Sequence, residues 1–194
     1  MIKKIILFTV TIVLFTNCFS DKKSAIGTNF NDTSFVNKKF TNKVNFSKIE
    51  DVCGYISAKH LAKLYNVNEA DITIIKGNSA NKRCSFYVKL SDQKFDHITG
   101  SIGVYEEKDK LVDGSTWVES WQIRKNVSKS AEWIPNLGQA AYYRGSKREL
   151  FVKFKDYTMS ITAPGSTFNK IEKEKNRDYK KIALALANKT PILK

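Results

Sequence analysis

The chain has 194 residues, 42% of them hydrophobic, and 33 Lys and Arg face 19 Asp and Glu for a formal charge of +14. Of those cations 28 are Lys and only 5 Arg, which speaks against base and phosphate recognition, where the bidentate Arg fork is favoured. Three cysteines without C-x-x-C spacing exclude a zinc ribbon and a redox dithiol.

Lys3 and Lys4 precede the apolar run 5–16, which is too short for the roughly 20 residues of a spanning helix and reads as an export signal. The run ends Leu14-Phe15-Thr16-Asn17-Cys18, and the polar segment 19–47 follows. This junction resembles the lipobox of bacterial lipoproteins, in which the cysteine is acylated and becomes the first residue of the mature chain. Asn17 stands where that motif has Gly, Ala or Ser, and Leu14 would supply its apolar position. Cleavage near Ser20 without acylation, or an uncleaved anchor, are the alternatives. The expected division is a signal peptide over 1–17, a lipidated Cys18 with a flexible tether over 18–47, and one domain over 48–194. With Cys18 committed to lipid, Cys53 and Cys84 are left as a pair. An oxidising compartment would bridge them, closing a loop of about 30 residues with roughly 3–4 kcal/mol of stabilisation; two buried free thiols are the other possibility.

Segment 19–47 is rich in Asn, Thr, Ser and Lys and buries too little apolar surface to offset the entropy of ordering it. It is expected to be a loosely associated tether about 30 Å in mean reach. Phe30, Phe35, Phe40 and Phe46 recur at five- or six-residue spacing, which suits neither a strand nor a helix face; docking on the domain or on a partner is the alternative for them. Ser47-Lys-Ile-Glu50 has the form of a capping box, and Ile49, Val52, Cys53 and Ile56 follow at helical spacing, so a first helix is expected with Cys53 facing inward. Ser57 reads as a second N-cap, leading Leu61, Leu64 and Tyr65 onto one face. Residues 70–76 and 83–90 are β-branched or aromatic runs separated by a polar turn and predict a hairpin. Residues 97–105 predict a third strand, with Gly100 and Gly103 marking a bulge or a close backbone approach.

Residues 116–129 predict a helix carrying Trp117, Trp121 and Arg124 on one side and Val118 and Gln122 on another. Trp133 to Tyr143 reads as a loop entering a strand. Residues 150–155 and 157–162 alternate with period two about a tight turn at Asp156 and predict a second hairpin, ended by Pro164-Gly165. Residues 168–186 predict a closing helix with Ile171, Tyr179, Ile182, Ala183 and Leu186 inward. The expected fold class is α+β: a single domain with a curved antiparallel sheet and flanking N-terminal and C-terminal helices.

Asp51-Val-Cys53-Gly-Tyr-Ile-Ser-Ala-Lys-His-Leu-Ala62, with its cysteine in a first helix, Cys84-Ser-Phe-Tyr87, Asn136-Leu-Gly138-Gln-Ala-Ala-Tyr-Tyr143, Leu150-Phe-Val-Lys-Phe154 and Ala183-Leu-Ala-Leu-Ala187 together resemble a loose group of small bacterial lipoproteins of unknown function. The resemblance spans most of 48–194 and implies an α/β sandwich with a disulfide. Gln139 replaces the acidic residue usual in that group, and no activity carries over.

Catalysis is not expected. His60 and His97 stand apart from any H-x-x-H frame, nucleophile-elbow and P-loop patterns are missing, and Glu106, Glu107 and Asp109 read as a solvated hairpin tip. No cofactor, metal or nucleic acid is expected. The candidate binding surface is aromatic and basic: Trp117, Trp121, Arg124, Trp133, Tyr143 and Arg144, with core packing as the competing role of the tryptophans. The reading is a membrane-anchored binding or interaction protein on the extracytoplasmic side, periplasmic or at the cell surface, contacting an envelope protein or an anionic polymer. The alternatives are an enzyme on envelope polymers and a structural polyanion-binding lipoprotein, the latter drawing on the lysines of 38–43 and 170–181.

Overall fold

The computed structural model describes residues 30, 32–77, 82–93, 95–110 and 114–193. Cys18 and the proposed signal peptide lie outside them.

Seven antiparallel strands form one open sheet in the order β1-β2-β3-β7-β6-β5-β4. They are β1 (Ile72–Lys76), β2 (Arg83–Lys89), β3 (His97–Glu106), β4 (Ala131–Trp133), β5 (Ala140–Arg144), β6 (Glu149–Lys153) and β7 (Tyr157–Gly165). Both expected hairpins are present, β1 with β2 and β6 with β7. The long β3 pairs with β7 and joins the two into one α+β body. The short edge strand β4 went unread, because three residues carry no periodicity of their own.

Side-chain alternation gives the sheet two unlike faces. On one, Phe86, Ile98, Ile102, Leu150, Val152 and Ile161 are fully buried under α1 (Ala58–Tyr65) and α4 (Tyr179–Ala187). Ser57 caps α1 as expected, accepting from the His60 amide. On the other face α2 (Trp117–Asn126) covers only the β4–β6 end, started by a reciprocal capping box between Thr116 and Glu119.

Three local expectations are corrected. Residues 47–56 form two 3₁₀ turns, Phe46–Lys48 and Cys53–Tyr55, rather than a helix. Ile49, Val52 and Ile56 are nevertheless buried, so the apolar spacing reported burial correctly and helicity wrongly. The closing helix is broken into α3 (Lys170–Glu174) and α4. The break lies at Asn176, at φ 43°, where buried Glu172 takes the Arg177 guanidinium and the Tyr179 hydroxyl at 2.7 Å and Asp178 caps a new helix. Pro164 and Gly165 extend β7 instead of ending the hairpin: β7 carries one extra residue against β3 between Thr99 and Ser101. Opposite that bulge, a Cβ on Gly100 would lie 2.6 Å from the Pro164 nitrogen and collide with the Thr162 carbonyl, the close approach its sequence position suggested.

Cys53 and Cys84 are bridged, tying the second 3₁₀ turn to β2. The described part of the expected tether lies on the domain. Phe35 stacks on Trp133 with centroids 4.0 Å apart, Phe40 meets Phe154 edge-on and Phe46 tilts against Tyr157. The Asn37 amide donates to the Gln139 carbonyl at 2.7 Å, and Asn42 donates to Asp156. Composition marked this strap as a linker, but its phenylalanines are spaced to reach separate hollows on the sheet rather than one face of an element.

Candidate functional site

The six side chains expected to form one binding surface are divided by the fold. Trp121 is fully buried and Trp117 nearly so; they meet edge-on at 6.1 Å, and Trp121 stands edge-on to Tyr142 at 5.2 Å. Both are the anchors of α2 on the sheet, so the core role of the tryptophans is the one observed. Trp133 lies in the same cluster beneath Phe35. Tyr143 points to the opposite face and joins the main core. Arg144 pairs with Glu149 and lies over the Phe151 ring. Arg124 reaches inward to a carboxylate.

That carboxylate is Glu107, expected in solvent and found 5% exposed. Its backbone amide donates to the Asp156 carbonyl, which turns the end of β3 beneath α2. Its carboxylate accepts from Trp121 Nε1 at 3.0 Å, from Arg124 Nη1 at 2.9 Å and from the Thr158 hydroxyl. Beside it Lys153, fully buried, donates to the carbonyls of Glu107, Phe154 and Lys155 at 2.7–3.1 Å. Burial pushes the Lys153 ammonium below its usual pKa, with Glu107 and Asp109 opposing that shift. No buried side-chain nitrogen or oxygen of Glu107, Trp121, Thr158 or Lys153 lacks a protein partner, and none of the four lines the open part of the sheet face. It is a buried polar pin that fixes α2 on the sheet.

The open part of the same face is different. On β2, β3 and β7 the outward positions are Ser85, Thr99, Ser101, Gly103, Ser160 and Thr162, and the register sets Ser85 opposite Ser101, Ser101 opposite Thr162 and Gly103 opposite Ser160. No helix among the described residues covers them. Short hydroxyl side chains floor a trough with taller side chains at its margins. One lobe, of about 530 Å³, runs past Phe46, Tyr105, Glu106 and Phe151; a second, of about 400 Å³, is bordered by Tyr87, Arg83, Lys147 and Arg148. The lobes share Arg83, Ser101, Glu149 and Thr162 and are therefore continuous.

Charge in the trough is unevenly satisfied. Arg83 reaches only the Ser101 hydroxyl, at 3.5 Å, and neither it nor Lys147 has a carboxylate partner among the described residues. Glu149, which both lobes touch, is already neutralised by Arg144. Arg148 is held at φ 57°, a left-handed conformation uncommon for a residue with a Cβ; one guanidinium nitrogen donates to the Gly165 carbonyl at 3.0 Å, and its buried Nε has no partner. At the other lobe, burial and then the Glu107 charge hold the Tyr105 hydroxyl protonated, its pKa pushed up to about 12, so it is a hydrogen-bond donor at neutral pH.

His60 and His97 sit on opposite sides of the sheet. His60 lies in α1, its pKa lowered by burial and by the Lys189 charge, and His97 lies beside Tyr87 on the outward face. Among the described residues no three His, Cys, Asp or Glu side chains gather as a metal site, and no helix is long and apolar enough to cross a membrane. The trough escaped the sequence reading although its signal was present: it is the polar half of the alternation in three strands, distributed over residues 83–105 and 158–162. Only the strand order, which inserts β7 beside β3, brings those halves together. No protein-family model, curated protein or solved structure matches this chain.

Proposed function

We propose that the protein is a lipid-anchored binding protein of the cell envelope, held on the extracytoplasmic side of a membrane through acylated Cys18, and that its ligand occupies the trough on the open sheet face. The observation that carries the reading is the open, hydroxyl-floored face between Arg83 and Tyr105, with Arg83 and Lys147 free of carboxylate partners among the described residues. Such a surface offers many weak, directional contacts, the chemistry of recognition rather than of turnover. The leader at 1–17 and the Cys53–Cys84 bridge support an exported, oxidising environment.

Two measurements test this on the full-length protein extracted from membranes. Intact mass should begin at Cys18 with added acyl mass; an unacylated chain cut elsewhere overturns the anchor. Envelope fractions should be retained by the immobilised wild type and lost by a Ser160→Trp variant that fills the trough floor. Equal retention by both overturns the assignment of the trough.

A further inference from the structure

Resting on that reading of the trough, we infer that its ligand is an acidic saccharide at least two sugar units long, with a carboxylate in the lobe of Arg83, Lys147 and Arg148 and a neutral ring against Tyr105. The two lobes differ in a way that a simple anion does not explain. The first has three cations, and its single carboxylate, Glu149, is engaged by Arg144, so it presents net positive charge to a small volume. The guanidinium of Arg83, held only by the Ser101 hydroxyl, suits the planar fork of a carboxylate, while that of Arg148 is turned to the Gly165 carbonyl and the Tyr179 ring and adds positive charge at the margin. The second lobe is not cationic in the same sense: Lys82 has its ammonium turned to the carbonyls of Phe46 and Ile49, while Glu106 stands unpaired among the described residues. A dense polyphosphate would find fewer free cations there. A sugar needs none, because its hydroxyls donate to Glu106 while its C–H face lies against the exposed Tyr105 ring.

The floor supports the same ligand. Ser101, Ser160 and Thr162 are half-buried with short side chains, so a flat polyol can approach the sheet and exchange hydrogen bonds with hydroxyls that both donate and accept. A peptide strand would instead need a free sheet edge for its backbone; the trough lies across the middle of the sheet, where every strand already has two partners.

The probe is a tetrasaccharide alternating hexuronate and N-acetylhexosamine, titrated calorimetrically into the full-length protein beside its carboxyl-reduced, neutral counterpart and inorganic phosphate. The acidic tetrasaccharide should bind, with the neutral form at least about tenfold weaker, the loss of one charge-assisted contact. Arg83→Gln and Lys147→Gln should each weaken it by about tenfold, and Tyr105→Ala should weaken the acidic and neutral forms alike. Binding that is unchanged in Arg83→Gln, or matched by phosphate, overturns the inference. Should the tetrasaccharide fail to bind while Ser160→Trp still abolishes envelope retention, the saccharide is wrong and the trough stands. Loss of neither effect in the variants refutes the trough itself.

Discussion

Glu107 shows how one side chain can be misjudged from its neighbours. In sequence it lies within Glu106-Glu107-Lys108-Asp109, a pattern that reads as solvated, yet its carboxylate is the acceptor for an indole, a guanidinium and a hydroxyl beneath α2. A charge-assisted hydrogen bond of this kind contributes about 1.5–3 kcal/mol. Glu107→Gln keeps the shape and loses the charge, and should lower stability by roughly 2 kcal/mol, seen as a lower urea midpoint at unchanged slope; an unchanged midpoint would remove the pin from the account. The tyrosines predict the alkaline limit. Burial, reinforced by Glu107 at Tyr105 and by Asp178 at Tyr143, raises both to about 12, against about 10 in an unfolded chain. Between those values the unfolded state binds fewer protons, so stability is intact below pH 10 and falls as pH rises toward 12. Lys153 acts oppositely, its depressed pKa adding stability as pH rises toward 10.5. A spectroscopic tyrosine titration should show Tyr143 ionising only with unfolding, and a normal, reversible titration of every tyrosine in the folded protein would contradict this.

At the scale of elements, two short links determine how the sheet is held. The Cys53–Cys84 bridge spans 31 positions of sequence, and replacing both cysteines with serine should cost roughly 3–4 kcal/mol by loop entropy. Equal denaturation midpoints for the reduced and oxidised wild type would show that the bridge constrains nothing. Gly100 makes the second link, since it lets β3 pass the Pro164 bulge of β7. Gly100→Ala should destabilise by about 1–3 kcal/mol through forced displacement of the two central strands, with hydrogen-exchange protection lost first at Thr162 and Ala163. The hairpins, the Ser57 cap and the inward residues of α4 were all legible, because each depends on contacts within a few residues. The broken closing helix was not: an uninterrupted pattern at 168–186 concealed a carboxylate that buries itself and draws Arg177 back across the chain.

For the whole molecule, the strap over 32–47 makes the domain larger than its expected boundary at 48. Its rings occupy hollows on both faces, Phe35 against Trp133 and Phe40 against Phe154. Phe35→Ala should cost about 1–2 kcal/mol, roughly half the loss at a fully buried phenylalanine, and should shift tryptophan emission to the red as Trp133 gains water. An emission spectrum identical to wild type would mean that the strap does not hold there in solution.

Composition and periodicity determined six of the seven strands, the Ser57 cap, the cysteine pair and the α+β class, because a residue's preference for burial or for a helix terminus is felt locally and survives in any fold. Whether Trp121 is a core anchor or a binding surface, whether Glu107 meets water, and which polar half-strands combine into a trough were decided only by tertiary structure. These depend on β3 pairing with β7 from more than fifty residues away, and on α2 covering one end of a face while leaving the other open. Neither a spacing nor a charge count along the chain contains that information, since burial of a polar group is a property of what packs on it.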